Sequence, residues 1–121
     1  MAKWANDLVM DAALDFIAGS NLMTACSQQP ANRTDAATTY NLAGVTMAGG
    51  DFTKADGDSS GRKVTVAQKT GISVAANGTA NHVALCNATI LIYCTTATAQ
   101  ALTSGNTMTI NSWKVEIADP S

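Results

Sequence analysis

The stretch from Asn77 to Thr95, NGTANHVALCNATILIYCT, decides the fold class. It holds two short apolar runs, His82–Cys86 (HVALC) and Thr89–Thr95 (TILIYCT). Both are strongly apolar, which predicts strands in the centre of a sheet. Asn77-Gly78 sits ahead of them, and Asn-Gly between apolar runs is the strongest short hairpin signal. A run such as TILIYC left on an open edge is an aggregation hazard, so it must be buried in the domain or covered by another subunit.

Working outward, the same grammar continues in both directions. Downstream, Gln100–Thr103 leads into the tight turn Ser104-Gly105-Asn106, and Thr107–Ile110 and Trp113–Ile117 follow as strands. Val115 and Ile117 take one face of the last strand, Lys114 and Glu116 the other. Upstream, Arg62–Gln68 alternates and Ile72–Ala75 is a short strand. Leu22–Ser27 (LMTACS) and Tyr40–Met47 read as strands joined by a polar loop containing Pro30. Gly50–Gly61 (GDFTKADGDSSG) reads as a loop dense in turn-forming Gly and Asp.

The N-terminal segment is different. Asn6 is a good N-cap, Asp7 suits a helix N-terminus, and Val9, Ala12, Ala13, Phe16 and Ile17 recur at helical spacing. A helix from Asp7 to Ala18 follows, with Gly19 as a left-handed stop. The expectation is a mainly β chain: an antiparallel β-sandwich or jelly-roll-like barrel of seven or eight short strands behind one N-terminal α-helix. Its 121 residues make one domain, with residues 1–19 as a docking segment and 20–121 as the sandwich.

Composition narrows the function. Charged residues are 13% of the chain, about half the usual share of roughly 25%. Small polar residues fill the gap and suit extended contact with neighbours, which points to a subunit of an assembly. The formal net charge is −2 and no basic patch is interleaved with aromatics, so nucleic acid is not the expected partner. No apolar run approaches the ~20 residues of a membrane span, and MAKWANDLVMDAALDF is no secretory signal. The expected setting is a cytoplasm of synthesis, with the protein in solution until it meets its partner.

Catalysis finds little footing. His82 is the single imidazole, and Cys86 lies four residues further along the same strand, roughly 13 Å away and out of hydrogen-bond reach. Glu116 and Asp119 flank the C-terminus but do not form the facing pair that glycoside hydrolysis needs. No nucleophile elbow or phosphate-cradling loop occurs. The chain reads as a non-enzyme with no cofactor. Cys26, Cys86 and Cys94 read as small buried hydrophobes, with Cys86 and Cys94 the pair placed to oxidise after release from the cell.

Two features carry binding hypotheses. Asp56, Asp58 and Ser60 within Asp56–Gly61 (DGDSSG) match the opening of a calcium loop, but Ala67 occupies the position of the bidentate acid. Asp7, Asp11 and Asp15 stack at i, i+4 and i+8, either as a solvated face or as an acidic stripe for a basic partner surface. Trp4, just before them, would staple the first turn or anchor into a neighbour.

Taken together, WANDLVMDAALDFI, CSQQP, GDFTKADGDSSGRKVTV, GTANHVAL and QALTSGNTMTINSWKVEIADP resemble a family of small structural proteins of tailed bacteriophage virions. The resemblance covers nearly the whole chain and lies in overall pattern. It implies a virion component and carries no catalytic residues. The expectation drawn from it is a capsid decoration (cement) protein. Such a protein binds the outside of the head, contacts the major capsid protein and stabilises its lattice, as a dimer or trimer matched to local symmetry. The alternative is a tail-side component (tail tube, tail tip or fibre-associated module) contacting neighbour subunits or a host surface.

Overall fold

The computed structural model describes residues 5–118. It is mainly β and sandwich-like, with one N-terminal helix and nine strands in antiparallel sheets. Helix α1 spans Asp7–Ala18. The strands are β1 (Leu22–Cys26), β2 (Asn41–Thr46), β3 (Phe52–Asp56), β4 (Arg62–Val66), β5 (Lys69–Ser73), β6 (Gly78–Cys86), β7 (Leu91–Leu102), β8 (Thr107–Ile110) and β9 (Trp113–Ile117). Sheet A has the order β2-β1-β6-β7, sheet B the order β3-β4-β9, and β5 pairs with β8.

The helix starts where expected: the Leu8 N–H donates to Asn6 Oδ1 at 2.8 Å. Its end differs. Gly19 has φ −80°, not a left-handed value, and the last turn is closed by Ser20, whose N–H and hydroxyl both donate to Ile17 O. The buried face also differs. Met10, Leu14 and Ile17, at i, i+4 and i+7, face the core, whereas Val9, Ala12, Ala13 and Phe16 are exposed. The helix carries two apolar stripes about a quarter-turn apart, and sheet B takes the one ending in Leu14 and Ile17.

Several strand expectations need correction. Phe52–Asp56, read as loop, is a strand, because Phe52 enters the core and Lys54 pairs with the helix. Asn77-Gly78 makes no β5–β6 hairpin: β5 pairs with β8, and β6 pairs with β1 and β7. The polar loop before β2 contains a π-helical turn, Asp35–Thr39. Asn32 caps it, accepting from the Asp35 N–H at 2.9 Å. Thr89–Thr95 and Gln100–Thr103 fuse into the twelve-residue β7, which lies at the edge of sheet A, not its centre. β6 does take a central position.

The main core lies between the layers, with Leu14 from α1, Met23 from β1, Val64 and Val66 from β4, and Leu85 from β6 fully buried. A second small cluster covers the outer face of sheet A, where Cys26, Ala84 and Cys86 pack under Ala36 of the π-helical turn. Strand β1 is therefore buried on both faces, which explains the unbroken run LMTAC. Arg33 pins the covering segment by donating from Nε to Asn87 O at 2.7 Å.

Candidate interaction surfaces and cleft

The three helical aspartates have different surroundings. Asp11 is largely covered and accepts from Arg62 Nε of β4 at 2.8 Å. That hydrogen bond, with the charge of Arg62, holds its carboxyl below the usual aspartate range against the opposing effect of burial. Asp15 pairs with Lys54 of β3 at 2.5 Å, and Asp7 is exposed. Two of the three thus face cations of the same chain and fasten α1 to sheet B. Trp4 lies outside the described residues, as does Asp119.

The β3–β4 connection is a five-residue turn closed by the Gly57 N–H to Gly61 O at 2.9 Å. Asp56 accepts from Arg62 Nη1 at 2.7 Å, and Asp58 pairs with Lys63 and Lys114. Among the described residues no group of three or more His, Cys, Asp or Glu is placed to hold a metal ion. The Asp56–Ser60 segment brings its two carboxylates against three cations, which neutralise the charge a calcium ion would need.

The thiols sit together on the outer face of sheet A. Cys26 and Cys86 are buried, Cys94 is half-buried, and all three are free. Burial pushes the Cys26 and Cys86 thiols up, away from the reactive thiolate. Cys94 pairs in register with Ala84, two residues from Cys86. The two are diagonal neighbours at roughly 7–8 Å, beyond the usual disulfide span of about 4.4–6.8 Å. The adjacent-strand relation is present, but bridging requires the strands to slide. His82 Nδ1 lies 2.6 Å from Asn81 Oδ1, and among the described residues no acid–base partner is hydrogen-bonded to its ring.

The described residues leave two surfaces uncovered. One is the outer stripe of α1, where Leu8 is 74% exposed, Val9 65% and Phe16 55%. The other is β7, which contains no charged residue and whose positions from Leu91 to Ala101 are exposed or half-buried. One side of β7 pairs with β6, and the other pairs with no strand among the described residues. No helix among the described residues is long and apolar enough to cross a membrane.

A cleft of about 320 Å³ opens between β7 and the β8–β9 connection. Its floor is apolar, with Ala25, Val83, Met108 and Ile110, and its walls carry Thr95, Gln100, Asn111, Ser112 and Trp113. Trp113 stacks on Tyr93 with ring centroids 5.9 Å apart, and its Nε1 is shielded without an acceptor. The sequence reading missed this cleft. Its signal was the polar interruption Thr95–Gln100 (TTATAQ) within one long strand.

No protein-family model matches the chain, and neither the curated proteins nor the solved structures give a match.

Proposed function

We propose that this protein is a structural subunit of a multi-copy assembly, and specifically a virion protein of a tailed bacteriophage that decorates the outside of the head. The observation that carries the assembly reading is the second apolar stripe of α1. Val9, Ala12, Ala13 and Phe16 lie along one exposed face of a helix whose other apolar face is already buried. An apolar helix face that no described residue covers is suited to a groove on a partner. The uncharged edge of β7 supports the same reading. Natural edge strands are guarded by lysine, proline or inward charge, and this one has none of them.

The virion assignment is supported by the resemblance of the segments from Trp4 to Pro120 to small phage structural proteins. In this role α1 docks on the major capsid protein, and the Leu91–Cys94 end of β7, outside the cleft, faces a neighbouring copy in a dimer or trimer. A subunit that binds only the assembled lattice stabilises it by linkage.

The test is quantitative mass spectrometry of separated heads and tails from purified particles. Many copies per particle travelling with heads is the expected result. A few copies travelling with tails would replace decoration by the tail-side role.

A further inference from the structure

The cleft between β7 and the β8–β9 connection has a chemistry of its own. It lies where β7 ends sheet A and β9 ends sheet B, a side of the sandwich bridged by the Tyr93–Trp113 stack. Its volume, about 320 Å³, is at the lower end of the range for small-molecule sites.

No Lys, Arg, Asp or Glu lines it, and the one lining imidazole, His82, is engaged at Nδ1 by the Asn81 side chain. A charged ligand would lose its hydration there without gaining a counter-charge, so the fitting ligand is neutral. Thr96, Thr98, Gln100, Thr109, Asn111 and Ser112 of the lining have side chains that form no hydrogen bond with another group among the described residues. Each hydroxyl or amide both donates and accepts. That dual character matches a ligand whose own groups are alcohols. The Trp113 ring, held by Tyr93, adds a flat apolar surface of the kind that covers the C–H face of a pyranose ring.

We propose that this cleft binds a neutral saccharide. A polypeptide strand is the less suitable occupant. The cleft wall coincides with the stretch of β7 where register shifts, between the pairs His82↔Thr96 and Ala80↔Gln100. A strand added there meets an interrupted ladder. The inference concerns the cleft alone and holds whether the protein sits on a head or a tail.

The test is a titration of the isotopically labelled full chain with maltotriose, cellotriose and N,N′,N″-triacetylchitotriose, followed by backbone-amide and indole resonances. Binding is expected with a dissociation constant on the order of 1 mM, so each probe is taken to roughly 50 mM. Saturable shifts confined to Thr95–Gln100 and Asn111–Trp113 with at least one probe support the proposal. The double variant Gln100→Ala/Asn111→Ala changes two exposed side chains and should keep the spectrum of the folded chain while weakening that probe at least tenfold. The proposal is overturned by three probes that give no saturable shift. It is equally overturned by binding that the double variant leaves unchanged, or by concentration-dependent shifts of the same residues without sugar, which would make the cleft a contact between copies.

Discussion

Arg62 Nε donates to Asp11 Oδ1 across 2.8 Å, so a residue in the middle of α1 is tied to the first residue of β4. The same guanidinium reaches Asp56 at the other end of the β3–β4 turn. Arg62 therefore joins the helix, the strand and the hairpin tip, and its own pKa is raised by the two carboxylates. With Lys54–Asp15 alongside, two ion pairs link α1 to sheet B.

This pairing predicts how stability follows pH. Asp11 is lowered by its hydrogen bond to Arg62, and Asp51 by the Ala48 N–H and by Lys69. A carboxyl lowered in the folded state binds fewer protons there than in the unfolded chain near the ordinary value of about 3.9. Its contribution is complete above that value and is lost as pH falls through the lowered one. The urea midpoint should stay flat from neutral pH to about pH 5 and fall below it, and Asp11→Asn should make the fall shallower. A midpoint that rises on acidification would contradict the assignment.

Gly61 predicts a sharp difference between two glycines. It has φ +72°, and a Cβ there would lie 1.8 Å from Ile117 O of the neighbouring strand. Gly105, in the β7–β8 turn, has φ +93° and open space around it. Both alanine variants incur the backbone penalty of about 1–3 kcal/mol. Only Gly61→Ala adds a collision with backbone that cannot move without parting β4 from β9. Chemical denaturation should rank Gly61→Ala well below Gly105→Ala; equal losses would show that the β9 end yields freely.

The two faces of α1 should separate stability from assembly. Leu14 is fully buried, and Leu14→Ala should cost about 2–5 kcal/mol. Val9→Gln with Phe16→Gln changes only exposed positions and should alter stability by no more than about 0.5 kcal/mol. The same double variant should fail to attach to particles lacking the native protein, measured by co-sedimentation. Attachment at the native level would remove the outer stripe from the docking surface.

The fold class was legible because alternation and turn residues act locally. Thr107–Ile110 and Trp113–Ile117 coincide with the observed strands, and Asn6 caps the helix as its chemistry demands. Tertiary effects were not legible. Val9, Ala12, Ala13 and Phe16 satisfy helical spacing as well as Met10, Leu14 and Ile17 do, and periodicity cannot tell which stripe meets a sheet. The buried stripe is the one that also brings Asp11 and Asp15 to Arg62 and Lys54, a relation across distant parts of the chain. Asn77-Gly78 misled because pairing across it lost to the longer ladders that β6 builds with β1 and β7. The cleft was hidden for the same reason: Gln100 and Asn111 meet only when β7 and the β8–β9 link come together.

The order β2-β1-β6-β7 also governs how the molecule is made. Strand β1 needs β6 beside it, with Leu22 opposite Cys86, so most of the chain must leave the ribosome before that ladder can close. Pairings between distant segments form slowly because the loop entropy is lost before contacts compensate it. Until then the run LMTAC stands open on one side, and α1 carries apolar residues on two. Nascent chains synthesised at high local concentration would meet one another in that interval. A fold ordered in this way rewards prompt completion, because the open side of β1 closes only when β6 arrives.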